Sequence, residues 1–106
     1  MVKTENAVIT DYFLYQNYPN PFNGVTKIRF NVKGYSQTEL IVSDLLGRRI
    51  RTYTLGKLST GSHEVTWDGN DELGNPVASG IYLYQVSFND DDSGKLNLSK
   101  KMVFLK

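Results

Sequence analysis

The chain has 106 residues, 40% of them apolar and 12% aromatic, with a formal net charge of +1 and no cysteine. That length makes one domain with one ordinary core, and the near-zero charge gives no field to draw in nucleic acid or an anionic membrane. The missing cysteine excludes disulfides, thiolate catalysis and thiolate metal sites, while seven tyrosines and nine glycines favour an all-β domain with many turns over a disordered tail.

Residues 1–11 are mixed and polar and read as a linker or loose N-terminal edge segment, so the folded domain is expected over residues 12–106. No apolar run approaches the roughly 20 residues of a spanning helix, and Met1-Val2-Lys3 does not open a signal peptide. If the domain is exported, its leader is expected elsewhere, in a longer protein of which this chain is a piece. Tyr12 to Asn23 begins as a short apolar strand and continues as Asn-Tyr-Pro-Asn-Pro-Phe-Asn. Each proline removes a backbone donor and pushes its predecessor towards extended geometry. This segment therefore runs along a sheet edge, with Tyr18 and Phe22 expected to tuck inward.

From Val25 the polarity alternates: Ile28, Phe30 and Val32 face in, while Lys27, Arg29 and Asn31 face out. Gly34-Tyr35-Ser36 is a turn. Glu39 to Leu46 is the most continuously apolar strand, with Leu40, Ile41 and Val42 in a row. Such a run is expected near the middle of a sheet covered on both faces. Asp44 to Arg48 is a hairpin connection with Gly47 in the left-handed position. Arg49 to Leu55 returns as a basic edge strand, and Gly56 to Ser62 is expected to be a loop.

Val65 to Tyr84 reads as strand, polar turn, strand, and organises the rest. Val65 and Trp67 share one face, and Tyr82, Tyr84, Val86 and Phe88 repeat the period of two. Asp68-Gly69, Asn70-Asp71 and Gly74-Asn75-Pro76 supply turn chemistry between them, and the lone tryptophan is expected to anchor the core. Asp90-Asp91-Asp92 reads as a solvated loop tip. In the last strand Leu96, Leu98, Met102 and Phe104 share a parity that Lys100 interrupts, which predicts a bulge or a change of face. No segment carries a 3.6-residue pattern. About seven short strands with turn signals every 8–12 residues predict an immunoglobulin-like antiparallel β-sandwich, without the cysteine pair of antibody domains.

No enzymatic constellation emerges. His63 is the single histidine; it shares parity with Val65 and Trp67, and no strained elbow exposes Ser62 or another serine beside it. Gly69, Gly74 and Gly80 are spaced by turns and do not open a helix, so they form no phosphate loop. The acidic turn of Asp68, Asn70, Asp71, Glu72 and Asn75 has the clustered oxygens that a hard cation seeks, but it lacks a twelve-residue loop closed by a bidentate glutamate. Calcium there is the weaker alternative to Asx residues serving the local backbone. No metal site and no cofactor are otherwise expected. Residues 95–106 carry Lys95, Lys100, Lys101 and Lys106 with no acid, a solvated strand face and tail on charge alone.

Taken in order, NYPNPFN with TKIRF, DLLGRR, GSHEVTWDGNDELG, VASGIYLY and the closing KKMVFLK resemble the type A C-terminal sorting domains of the type IX secretion system. The likeness runs from about Phe13 to Lys106. Its motif residues are Asn17, Pro19, Asn20, Pro21, Phe22, Asn23, Gly47, Trp67, Asp68, Gly69, Gly74, Gly80 and Tyr82. The W-D-G-x-D-x-x-G-x-x-V-x-x-G-x-Y portion also resembles the immunoglobulin-like domain of flagellar hook-capping proteins. Gly24 departs from the sorting pattern, where another proline is common.

The resemblance implies a non-enzymatic module at the end of an exported protein, bound for the cell surface or the medium. Its implied partners are the N-terminal cargo, an outer-membrane translocon and a surface sortase-like peptidase, with a cut before Tyr12. Recognition would involve Lys100, Lys101, Met102, Val103, Phe104, Leu105 and Lys106, and an edge strand with unpaired backbone groups would be a docking rail. Two alternatives stand beside it. A carbohydrate-binding sandwich requires at least two of Tyr12, Tyr15, Tyr35, Tyr53 and Tyr84 to be exposed and coplanar. A structural assembly domain like the hook-cap one would be expected to oligomerise.

Overall fold

Alternating polarity decides which face each strand buries. In the computed structural model, which describes residues 11–106, that alternation produces strands and no helix among the described residues. They are β1 (Phe13–Leu14), β2 (Thr26–Val32), β3 (Ser36–Asp44), β4 (Arg49–Leu58), β5 (Gly61–Trp67), β6 (Gly80–Asp90) and β7 (Gly94–Phe104). Two antiparallel sheets result, β1-β2-β5 and β4-β3-β6-β7, packed as an immunoglobulin-like sandwich. The expected linker or edge segment lies, apart from Asp11, outside the described residues.

Ile28, Phe30 and Val32 of β2 are fully buried against Leu40, Val42, Tyr84, Val86 and Phe88 of the larger sheet. Trp67 is fully buried too. Its ring meets Tyr82 at 5.5 Å, Phe22 at 5.7 Å and Phe104 at 6.1 Å between centroids. Its indole N–H donates to the carbonyl of Asn70 at 2.9 Å. The large apolar body and the satisfied polar tip together explain why a tryptophan stands at this turn.

Five expectations are corrected. Val65–Tyr84 is not a paired hairpin: β5 and β6 lie in different sheets, because residues 68–79 are too long for a tight turn and cross the sandwich mouth instead. Glu72 holds that crossing against the edge of β4, its N–H donating to the carbonyl of Ile50 at 3.0 Å. The expected loop at 56–62 shrinks to Ser59-Thr60, since a register shift opposite Thr38/Glu39 accommodates Gly56 within the ladder. Ile41 is half-exposed; β3 is central in its sheet, yet only one face of that sheet is covered.

Lys100 causes no bulge: β6 and β7 pair without a shift from Gly80↔Phe104 to Asp90↔Gly94. Its side chain lines a recess of about 230 Å³ with Tyr12, Phe13, Leu14, Leu98 and Ser99, where the short β1 leaves β7 incompletely covered and a lysine stem can lie along apolar surface. Asp90 is not at a solvated tip. It is buried and accepts the Tyr12 hydroxyl at 2.6 Å and the N–H of Asp92 at 2.8 Å.

Gly47 and Gly69 have φ of 84° and 77°, as their turns demand. They differ in surroundings: a Cβ at Gly47 would meet nothing within 4 Å, whereas one at Gly69 would stand 2.9 Å from the Phe104 ring. Gly47→Ala is expected to cost roughly 1–2 kcal/mol for the left-handed backbone alone. Gly69→Ala adds overpacking and should cost about 1–3 kcal/mol more. Urea unfolding midpoints of the two variants provide the check, and equal losses would mean that Phe104 yields freely.

Candidate functional site

In a strand the side-chain face and the direction of the backbone groups alternate together. In β7 this separates two sets. Met102 and Phe104 point into the core, so they belong to the fold. Lys101 and Val103, followed by Leu105, present side chains on the outer face of the larger sheet and backbone groups towards its outer edge.

That edge is not an open rail. The N–H of Val103 donates to Asn20 Oδ1 at 2.9 Å, and its carbonyl accepts the N–H of Phe22 at 3.0 Å. The N–H of Leu105 donates to the carbonyl of Phe22 at 2.9 Å, and the carbonyl of Lys101 accepts Gln16 Nε2 at 2.8 Å. Lys106 N–H donates to Ser79 Oγ at 2.9 Å. The docking-rail expectation is thereby corrected for residues 101–105: the proline-rich segment already occupies the edge. What a partner can touch there is side chains.

The same segment clasps the other sheet through Tyr18, whose N–H and carbonyl pair with Lys27 at 3.0 and 2.9 Å. Lys27 faces out on β2, so Tyr18 opposite it faces out too and is 79% exposed, against the expected inward position. Phe22 does point inward, stacked on Phe104 at 4.8 Å. Between them Asn17 is buried. Its side-chain amide donates to Thr26 Oγ1 at 2.9 Å and the Pro19 carbonyl at 3.1 Å, and its N–H donates to the Tyr84 hydroxyl at 2.8 Å. Tyr84 in turn donates to the Tyr15 carbonyl at 2.8 Å. Burial pushes the Tyr84 hydroxyl up to about 12, with the Asn17 N–H pulling the other way.

The other sequence candidates are placed as follows. Asp68 Oδ1 accepts the N–H of Asn70 at 3.1 Å and lies 3.7 Å from Arg51. Asp71 Oδ1 accepts the N–H groups of Leu73 and Asn75 at 3.0 and 2.9 Å. Glu72 Oε2 accepts the Thr52 N–H at 2.9 Å. These carboxylates serve backbone amides, and Asp68 and Glu72 also flank the Arg51 guanidinium at 3.7 and 3.9 Å; no three acidic or histidine groups gather into a cation site among the described residues. A His63 ring nitrogen lies 2.8 Å from the Ser59 carbonyl, and the ring stacks on Phe30 at 5.9 Å. Of the five tyrosines from which a sugar-binding strip would draw at least two, Tyr12 and Tyr84 are buried, Tyr15 and Tyr53 half-buried, and Tyr35 alone is exposed; the strip is not formed.

The FlgD Ig-like domain family matches residues 17–92, from the buried asparagine of the clasp to the β6–β7 turn. The chain belongs to the FlgD Ig-like domain family. Among solved structures it resembles dimeric latent PorU from Porphyromonas gingivalis, at TM-score 0.73 and 21% identity, over 92% of this chain and 10% of that one. It also resembles FlgD from P. aeruginosa, at TM-score 0.63 and 19% identity, over 92% of this chain and 78% of that one. A third likeness is to PorZ, an essential surface component of the type-IX secretion system of Porphyromonas gingivalis, at TM-score 0.56 and 24% identity, over 88% of this chain and 11% of that one. The chain thus spans about a tenth of the PorU and PorZ chains and more than three quarters of the FlgD one. No curated protein matches the sequence.

Within this FlgD Ig-like domain the motif residues serve the fold. Asn17, Asn20, Phe22, Trp67, Gly69 and Tyr82 form or face the clasp and its aromatic cluster, with the Tyr82 hydroxyl donating to the Ala78 carbonyl at 2.6 Å. Gly47 and Gly74 turn the chain at positive φ, Asp68 caps its own turn, and Gly80 opens β6 opposite Phe104. Pro19, Pro21 and Asn23 are exposed. Ile41, Ile81, Leu83 and Val103, on the outer face of the larger sheet, are half-exposed or exposed and belong to no enzymatic or metal-binding pattern; their signal in the sequence is the apolar Ile41 at an outward-parity position.

Tyr84 yields a pH prediction. Its hydroxyl ionises near 10.0 when unfolded and near 12 when folded, so the folded state holds the proton longer. The stability this supplies is complete below pH 10 and is lost as pH climbs from about 10 towards 12. Tyr84→Phe removes both bonds and leaves the Asn17 N–H unsatisfied, at about 1–3 kcal/mol near neutral pH, and its alkaline decline should be shallower. Thermal melts of both proteins from pH 7 to 11 measure this; parallel alkaline limbs would discard the assignment to Tyr84.

Proposed function

We propose that the chain is a non-enzymatic C-terminal sorting module, which directs an attached secreted protein through type IX secretion to the cell surface or the medium. Its partners in this reading are the N-terminal cargo, an outer-membrane translocon and a surface sortase-like peptidase. The observation that carries it is the placement of the two ends. Tyr12, where the cargo linker meets the fold, is buried and pinned to Asp90. Strand β7 ends at Phe104, about 20 Å of strand further along from Leu98, which shares a recess with Tyr12. The address therefore begins at Lys100, beside Tyr12, and runs away from the cargo junction along β7, and a cut before Tyr12 leaves every core residue among the described residues in place.

The ordered motif set from Phe13 to Lys106 supports the same reading, as does the fold shared with PorZ, a surface component of that secretion system. A second reading, an assembly domain like that of a hook cap, is favoured by the family match over residues 17–92 and by the likeness to FlgD. Such a domain should self-associate and belong to a flagellar gene cluster.

Removing Lys100–Lys106 would be a poor test, since it takes Met102 and Phe104 out of the core. The chain is instead fused whole behind a reporter with an inner-membrane leader, in a bacterium that has a type IX system. The fused reporter is expected on the surface or in the medium, and the unfused one in the periplasm. Equal periplasmic retention of both would sink the sorting reading, and self-association in light scattering would turn attention to the hook-cap alternative.

A further inference from the structure

One face of an antiparallel sheet that looks onto water is ordinarily polar. The outer face of β4-β3-β6-β7 departs from that at one end. Register places Ile81 directly beside Val103, and Leu83 beside both Ser43 and Lys101; Ile41 lies diagonally across from Leu83. Ile81 is 44% exposed, and Ile41, Leu83 and Val103 are half-exposed, with no sheet or helix above them among the described residues. A contiguous apolar patch at solvent-facing positions marks an interaction surface.

Charge narrows what would cover it. Arg49 pairs with Ser43, so the row Arg49-Ser43-Leu83-Lys101 sets a cation on each side of the apolar centre. Neither cation has a carboxylate partner among the described residues. Of the acids in these four strands, Asp44 is bonded to Arg48 at 2.8 Å and Asp90 to Tyr12, which leaves Glu39, two residues along from Ile41. The face is thus apolar at the middle and positive at its flanks.

We infer that this face is where the export receptor reads the domain, through a protein surface with an apolar centre and carboxylates beside it. The inference rests on the sorting reading and gives it a location: the β7 edge is closed by Asn20 and Phe22, and Met102 and Phe104 are inside, so the closing strand is read through Lys101 and Val103 together with their neighbours on β6, β3 and β4. A flat sheet face with half-sunk aliphatic side chains suits a matching protein surface. A bilayer would call for protruding aromatic and leucine side chains.

Two double variants of the reporter fusion test it. Ile81→Thr/Val103→Thr keeps β-branched side chains and strand propensity while removing apolar contact. Arg49→Glu/Lys101→Glu reverses the flanking charge at solvent-facing positions. Each is expected to lower reporter export by about tenfold or more, the scale of losing a central interface contact, with the melting temperature little changed. Lys95→Glu, on the same face at its far end, should export normally. Normal export of the charge-reversal variant overturns the inference even if the threonine variant fails to fold, while the exported unsubstituted fusion leaves the sorting reading standing. Retention of the unsubstituted fusion would sink both. Binding of the chain to phosphatidylglycerol vesicles that both double variants abolish would assign the face to lipid and overturn the protein receptor.

Discussion

The structure depends on a single clasp, in which Phe22 exchanges two backbone hydrogen bonds with Val103 and Leu105 while its ring enters the cluster of Trp67 and Phe104. Two sheets that do not share a strand need something to hold them in register. Apolar burial supplies most of the attraction but little direction, because it is roughly proportional to area. The clasp adds direction: Tyr18 pairs with Lys27 on one sheet, Phe22 with the end of β7 on the other, and Asn17 joins Thr26 of one to Tyr84 of the other. Every buried side-chain polar atom among the described residues has a partner, so this polar network inside the core carries no unsatisfied group of the kind that makes such networks costly.

A second consequence of the clasp concerns edges. An exposed strand edge invites pairing with another chain. Here the C-terminal half of the β7 edge is taken by Asn20 and Phe22. Glu72 covers part of the β4 edge through Ile50 and Thr52, and β1 is only two residues long. The turn-rich connections of the domain thus close edges, which removes templates for strand addition at those places. What these closed edges leave accessible is sheet faces, which present side chains rather than backbone.

Much of this could be read from period-two polarity. Ile28, Phe30 and Val32, and Tyr82, Tyr84, Val86 and Phe88, are buried as their spacing demands, and Gly47 takes the positive φ its hairpin requires. What could not be read depends on which strands become neighbours. Tyr18 and Phe22 look equally apolar, and only the bridge from Tyr18 to the outward-facing Lys27 decides that one is exposed. The polar stretch after Trp67 has hairpin chemistry, but twelve residues of it, and whether it pairs its flanking strands or crosses between sheets is settled by Glu72 finding β4. Asp90 sits in a run of three aspartates whose members are alike until Tyr12 reaches one of them. The rim expected to be free was closed by residues some eighty positions earlier, a contact with no local signature.

This separation between fold and function bears on what the motifs mean. Asn17, Phe22, Trp67, Gly69 and Tyr82 are occupied with holding the sandwich together, so any chain that builds the same clasp would carry them whatever its task. That is why a single set of residues matches the FlgD Ig-like family while the same fold recurs in PorU and PorZ. Residues that distinguish a sorting module from a hook-cap domain must be ones the fold leaves free. Buried positions answer to packing and tolerate little else, whereas an outward position in a solvated sheet face is under no such demand. An aliphatic side chain there, as at Ile41 and Ile81, suits a strand but is not required by the core, so it is at such positions that a difference in task can be written.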